Sequence, residues 1–446
     1  MTPFQQFKAD FSGKKVLIFG LGLQGRGVGD AQVFAKLGAK VTVTDQKTEA
    51  DLAPSLHQLA GLEITYALSG HQQADILAAQ VIIRNASVPW NHPLLELARQ
   101  HHIPIKMDAA LFFAYARPLA IAVTGTRGKS TTTTLISELL QAAGQNPILG
   151  GNITPTASLS FLENYQPTNL YVFELSSWQL QAFHQEKISP PIAVVTNLYP
   201  DHLLDRTYAQ YVHDKTAIFA HQRPTDHLFL NAADPLTPQL KDQAKGIVDF
   251  FDASQVPASW QPQLKGDHNR ANIAAALKVA ALMGVTPATA QATVESFSPL
   301  PYRLEPITTI NRVTIINDTT STTPAATIAA LKAYPGSILI LGGASKRLPT
   351  EDLVNTANTL SGKILLLPGT GTNEIKSRLD STKVLGEFSS LPQILDQALR
   401  MAKPGSTLLF SPGFTSFGQF HNEFDRGQQF NQAVSSYQHS PHHDTH

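Results

Sequence analysis

Six residues carry the most specific chemistry in the chain: Gly125-Thr126-Arg127-Gly128-Lys129-Ser130. The apolar run Ile121-Ala122-Val123 leads into them, and they lead into TTTTLISELLQAAG, which has the apolar spacing of a helix. Between a strand and a helix, two glycines let the backbone approach phosphate oxygens, and the helix start adds the positive end of its dipole. Lys129 supplies a point charge, the Ser130 hydroxyl can ligate Mg²⁺, and Thr131 continues the first helical turn. That combination grips a nucleoside triphosphate. The common eight-residue template has a further glycine where this chain has Val123, so the motif is the variant G-x-x-G-K-S, and an ordinary strand-turn-helix corner is the competing reading.

A second glycine turn, Gly20-Leu21-Gly22-Leu23-Gln24-Gly25, follows the strand signal KKVLIFG and precedes the helix signal VGDAQVFAKLGA. The next strand, KVTVTD, ends in Asp45, an acid at the distance of the dinucleotide fingerprint. Taken alone this favours NAD and an oxidoreductase, although close backbone approach to a pyrophosphate serves any nucleoside diphosphate. Further on, Gly150-Gly151-Asn152 can present an amide, and LYVFELSSWQL reads as a buried strand delivering Glu174 beside the triphosphate loop, where a Mg²⁺ ligand belongs. The strand IAVVTNLYPDHLL places Asn197, Asp201 and His202 at its exit, and His202 reads equally as a loop imidazole or a ligand. Lys215, on the helix RTYAQYVHDKTAIFAHQ, has the bland reading of a solvated lysine. Asn269 and Asn272 start the helix KGDHNRANIAAALKVAALMG, as caps or as contacts to a base or sugar.

Around these groups, strands and helices alternate along the whole chain, which predicts an α/β protein with mostly parallel sheets. At 446 residues more than one domain is expected. Pro118 and the hinge Ser298-Pro299-Leu300-Pro301 suggest modules of residues 1–118, 119–301 and 302–446. The third reads as VTIINDTTSTTP, ATIAALKAY, SILILGG, KILLLPG, LPQILDQALRMA and STLLFSPGFTS, with Asp318, Thr322, Lys346, Ser411 and Ser416 at strand ends. SSYQHSPHHDTH at the C-terminus lacks an apolar pattern and is expected to be a frayed tail. Equal numbers of acidic and basic residues, 34 each, speak against a bulk nucleic-acid or membrane partner. Cysteine is absent, which excludes disulfides, thiolate nucleophiles and Cys-based metal sites. With no apolar signal core near the start and no apolar stretch of spanning length, a soluble cytoplasmic protein is expected.

The ordered set GTRGKSTTT, GGN, ELSS, TNLYPDH, GDHNRAN, PYRLE, IINDTTST and ILGGASK resembles the Mur ligase family over the whole chain. The resemblance implies three domains: an N-terminal Rossmann-like UDP-binding domain, a central P-loop ATPase-like domain and a C-terminal Rossmann-like domain. It implies an ATP-dependent ligase, acting as a monomer on small molecules, that adds glutamate to UDP-N-acetylmuramoyl-L-alanine in peptidoglycan precursor synthesis. D-glutamate is the first choice and L-glutamate the second. Gly22, Leu23 and Gln24 would then hold UDP rather than NAD, with Asn152 and His202 on the same substrate. Gly125 to Thr131, Asn272, Arg303 and Asp318 would bind ATP. Ser130 and Glu174 would hold one Mg²⁺, and His202 with a CO₂-carbamoylated Lys215 a second. Lys129, His202 and Lys215 take the catalytic roles, and Thr322, Lys346 and Ser416 the glutamate.

The chain departs from the family pattern in places. Arg127 replaces an asparagine, Ser130 a threonine, and Gln46-Lys47 stands where an arginine is usual. Thr320 occupies the position of a lysine, and Glu423, next to Phe424, that of an aromatic residue. The last two border the expected amino-acid pocket.

Overall fold

The computed structural model describes residues 1–201 and 206–439, so His202 and the end of the histidine-rich tail lie outside the described residues. The strands that can be read most easily in the sequence are those buried on both faces. There the chain needs apolar side chains on each side of the sheet, and alternation disappears. In the first sheet, β1 (Lys15–Phe19), β2 (Lys40–Thr44), β3 (Ile64–Ala67), β4 (Val81–Arg84) and β5 (Ile105–Lys106) run parallel in the order β3-β2-β1-β4-β5. The direction of winding reverses beside β1, and a ligand crevice opens at the carboxyl ends of such a switch point. The first glycine turn lies there.

The second sheet is also parallel. It contains β6 (Leu119–Thr124), β7 (Pro147–Gly151), β8 (Leu170–Glu174), β9 (Ile192–Val195), β10 (His227–Asn231) and β11 (Ile247–Phe251) in the order β11-β10-β9-β6-β8-β7. Its central strand β6 delivers the triphosphate loop, with Glu174 at the end of one neighbour and Asn197 beyond the end of the other. The third sheet contains β12 (Glu305–Ile310), β13 (Val313–Asn317), β14 (Ile338–Gly342), β15 (Lys363–Leu367), β16 (Val384–Glu387) and β17 (Thr407–Gly413), ordered β12-β13-β17-β14-β15-β16. All its pairs are parallel except β12 with β13.

By its internal contacts the chain forms two compact units. One comprises residues 1–199, 205–255 and 272–293 and holds the first two sheets; the other comprises 200–204, 256–271 and 294–446 and holds the third. In the first unit, apolar side chains of both sheets share one core, from Phe7 and Phe34 through Phe112 and Phe113 to Phe173 and Phe183. Arg84 also lies inside it, 1% exposed at the end of β4. Its guanidinium donates to the carbonyls of Val88 and Trp178, to Gln181 Oε1 and to Met107 Sδ, while Nε has no hydrogen-bond partner among the described residues. Burial pushes its pKa down to about 9.

Several elements differ from the sequence reading. LYVFELSSWQL stops being a strand at Glu174, because Ser176 and Gln179 form a capping box that starts the helix Ser177–Glu186. Only Ile192–Val195 of IAVVTNLYPDHLL pairs as a strand. A second capping box, Thr207 with Gln210, starts the Lys215-bearing helix at Tyr208, and it ends at Thr216. The expected tail is helical at its start: Glu423–Gln438 is one helix, anchored by Phe430 and Val434 in the core. No helix among the described residues is long and apolar enough to cross a membrane.

Candidate active site

In the first unit the triphosphate loop depends on two glycines with φ of 148° and 82°. A Cβ on Gly125 would lie 1.9 Å from Thr196 Oγ1, and one on Gly128 2.2 Å from Asn272 Oδ1, so neither position accepts a side chain. Asn197 fixes the intervening backbone. Its carbonyl accepts from the Thr126 amide at 2.9 Å, and its Oδ1 from the Arg127 amide at 2.8 Å. The Arg127 carbonyl in turn accepts from Thr196 Oγ1 and Asn197 Nδ2. The amides of Thr126 and Arg127 are thus turned towards the protein, and the chain passes at Gly128 into the helix Lys129–Ala142, which brings Lys129, Ser130 and Thr131 to the positive end of its dipole. Lys129 Nζ folds over the loop and donates to the Thr126 carbonyl at 3.1 Å. Asn272 stands against Gly128, the position expected of a nucleotide contact.

Lys215 is not a solvated helical lysine. It is 3% exposed, and its Nζ donates to the Gly125 carbonyl at 2.7 Å and to Thr124 Oγ1 at 3.3 Å, beneath the same loop. Glu174, 2% exposed, arrives from β8 beside it in the sheet. Its Oε1 accepts from Asn152 Nδ2 at 2.9 Å, and Oε2 is buried with no hydrogen-bond partner among the described residues. A buried carboxylate oxygen left open next to a phosphate-type loop suits a hard divalent cation, which takes oxygen ligands.

The first glycine turn lies in the same unit. Leu23 is exposed, and Gly22 donates its amide to Asp45 Oδ2 at 3.0 Å, while Asp45 Oδ1 accepts from the Lys47 amide at 2.9 Å. The acid that matches the dinucleotide fingerprint thus also holds the turn itself, one backbone amide on each of its oxygens. Gln24 Oε1 accepts from Arg26, whose other terminal nitrogen reaches Asn152 Oδ1.

In the second unit, Lys346 Nζ lies 3.3 Å from Thr322 Oγ1 and 3.3 Å from Asp201 Oδ1. Ser416 is buried, and the adjacent Thr415 exchanges two backbone hydrogen bonds with Ala344, tying its loop to that of Lys346. Arg426, fully buried, holds this arrangement together. It donates to Thr319 Oγ1, to the Thr319 carbonyl and to the Phe414 carbonyl. Arg426→Met leaves three acceptors without donors and is expected to cost about 3 kcal/mol in urea denaturation. Thr320 bonds to the Tyr302 carbonyl at 2.8 Å, and Phe424 is half exposed and 6.2 Å from the Tyr302 ring.

The Asp318 carboxylate is engaged by internal partners within the second unit. It accepts from Ser321 Oγ, Ser411 Oγ and the Leu304 amide, and so pins the turn that carries Arg303. Burial raises its pKa to about 6, against the opposing effects of these bonds and of the Arg303 charge. The folded state therefore holds its proton more tightly than the unfolded chain. This contribution to stability is complete below about pH 4 and is lost as pH rises through about 6, roughly 3 kcal/mol over two pKa units. Asp318→Asn is expected to remove that slope from a series of denaturation curves between pH 4 and 7.

Sequence reasoning missed Arg26, Arg84 and Arg426. An arginine directly after the glycine turn, and another ending the apolar run Val81-Ile82-Ile83-Arg84, were the available signals.

The profile of the Mur ligase middle domain matches residues 123–259. The chain is 36% identical to a UDP-N-acetylmuramoylalanine–D-glutamate ligase of Roseiflexus sp. (strain RS-1), with 96% of this chain and 99% of that protein covered. It is 33% identical to the enzyme of the same name from Geotalea uraniireducens, over 95% and 97%. Among solved structures, it is similar to a UDP-N-acetylmuramate–alanine ligase of Thermotoga maritima, with a TM-score of 0.61, 16% identity and coverage of 95% and 100%. A MurF ligase of Thermotoga maritima in complex with ADP gives 0.58, at 17% identity over 96% and 97%. At these identities the two structures speak to fold alone.

Proposed function

The chain belongs to the Mur ligase family, and we propose that within it this protein adds D-glutamate to UDP-N-acetylmuramoyl-L-alanine with conversion of ATP to ADP and phosphate. The observation that carries the reading is the gathering of Lys129, Lys215 and the open oxygen of Glu174 around one glycine turn. A carboxylate does not react with an amine, so the substrate acid must first be activated. Its attack on the γ-phosphate of ATP gives an acyl phosphate, which the glutamate amine opens through a tetrahedral intermediate, expelling phosphate and leaving an amide. Lys129 offsets the repulsion between the anionic nucleophile and the triphosphate, and the fixed loop backbone positions the transferred group.

Ser130 and Glu174 would hold one Mg²⁺, and carbamoylated Lys215 together with His202, which lies outside the described residues, would hold a second; bound there, the ions would further neutralise the phosphate charge. Carbamoylation is supported by the burial of Lys215 at the loop, and ¹³C-bicarbonate NMR should show a carbamate signal that is missing in Lys215→Met. The reading divides the labour among modules of residues 1–118, 119–301 and 302–446, for UDP, ATP and glutamate. In the last, Thr322, Lys346 and Ser416 would meet the glutamate carboxylates, while Arg303 and Asp318, with Asn272 of the central module, would serve the nucleotide side. The protein acts as a monomer in the cytoplasm on small molecules, without nucleic acid or membrane partners. The decisive assay is phosphate release with UDP-N-acetylmuramoyl-L-alanine and each glutamate enantiomer: turnover with D-glutamate supports the proposal, and turnover with neither refutes it.

A further inference from the structure

Between the first glycine turn and the buried carboxylate of β8 runs a chain of side chains that no motif announces. Arg26 is the first residue of the helix Arg26–Lys36. One terminal nitrogen donates to Gln24 Oε1 at 3.0 Å, and the other to Asn152 Oδ1 at 3.1 Å. The same Asn152 amide turns its nitrogen to Glu174 Oε1 at 2.9 Å, and its backbone nitrogen donates to the Glu174 carbonyl at 2.7 Å. A primary amide has one accepting and one donating end. With a guanidinium on the first and a carboxylate on the second, Asn152 is fixed in one orientation.

On the other side of the turn, Gln46 and Lys47 follow Asp45, whose oxygens are bound to the Gly22 and Lys47 amides. Beside the turn, the guanidinium with the geometry to fork onto a phosphate is that of Arg26.

We propose that Arg26 is the cation that recognises the diphosphate of the nucleotide-sugar substrate, and that through Asn152 it links occupancy of that site to Glu174. The inference rests on the function proposed above. A phosphate oxygen is a stronger partner for a guanidinium than a neutral amide oxygen, so a bound diphosphate draws Arg26 towards itself and loosens its hold on Asn152. Asn152 then follows whatever Glu174 requires when it takes a cation. Because both ligands act on one amide, each alters the affinity for the other, and the coupling is reciprocal.

The test uses the full chain and isothermal titration with uridine diphosphate, uridine monophosphate and Mg²⁺. The wild-type chain is expected to prefer the diphosphate over the monophosphate. In Arg26→Leu that preference falls by about tenfold to a hundredfold, monophosphate and ATP binding stay as they were, and Arg26→Lys recovers part of it. With free Mg²⁺ corrected for chelation by the nucleotide, saturating uridine diphosphate shifts Mg²⁺ affinity in the wild type and leaves it unshifted in Arg26→Leu; a wild-type affinity that does not move overturns the link to Glu174. A merely structural arginine would change the melting temperature without changing the diphosphate-to-monophosphate ratio. An unchanged ratio in Arg26→Leu overturns the proposal. A wild-type chain that binds neither nucleotide overturns the functional reading beneath it.

Discussion

Lys129→Ala is expected to lower ligase turnover by about a thousandfold while leaving uridine diphosphate affinity within twofold of wild type, on the scale of losses seen when a preorganised charge is removed from a reacting centre. The ammonium lies over the loop at 3.1 Å from the Thr126 carbonyl, where on the proposed function its charge would meet a triphosphate and nothing of the first glycine turn. Alanine is well tolerated at the start of a helix, so the fold should persist, and the defect belongs to kcat. Phosphate release gives the first quantity and calorimetry the second. Activity within tenfold of wild type would remove Lys129 from the mechanism.

Glu174→Gln should be nearly as damaging, for a different reason. A glutamine in this place keeps an oxygen towards Asn152 Nδ2 and must put its NH₂ where Oε2 now stands buried without a donor. That group repels a cation and finds no acceptor of its own. Turnover is expected to fall by about a hundredfold or more, with the Mg²⁺ requirement displaced to higher concentration and a stability loss of about 1–3 kcal/mol. A magnesium titration of initial rates, set beside a thermal melt, separates the two effects. An unshifted titration curve would mean that Glu174 holds no metal.

How much of this could be read from the chain depended on burial. Ile121 to Val123 and Ile338 to Leu341 lie in strands covered on both faces, and they stand out as continuous apolar runs. The edge strands Ile64–Ala67 and Ile247–Phe251 have exposed positions, carry weak patterns, and were not recognised. At the site, the turn Gly125 to Ser130 announced itself because its spacing is local. Lys215 did not, since nothing within its own helix tells that Gly125, ninety residues earlier, will lie 2.7 Å from its nitrogen. Asp318 illustrates the opposite limit. Its strand-end position was legible, but its three internal donors come from Leu304, Ser321 and Ser411, which are brought together by the fold.

Arg84 bears on how proteins of this kind can be rebuilt. Its guanidinium starts in the first sheet and is satisfied in part by Trp178 and Gln181, beyond the second sheet's β8. A gene fragment cut near residue 118 would strand a desolvated positive charge against missing acceptors and expose the aromatic side chains of Phe112 and Phe113. Chimeras that exchange the amino-terminal module between homologues should therefore express well when both parents keep this arginine and its two acceptors, and should aggregate when one parent lacks them. The first two sheets share one core and are expected to transfer only as a block.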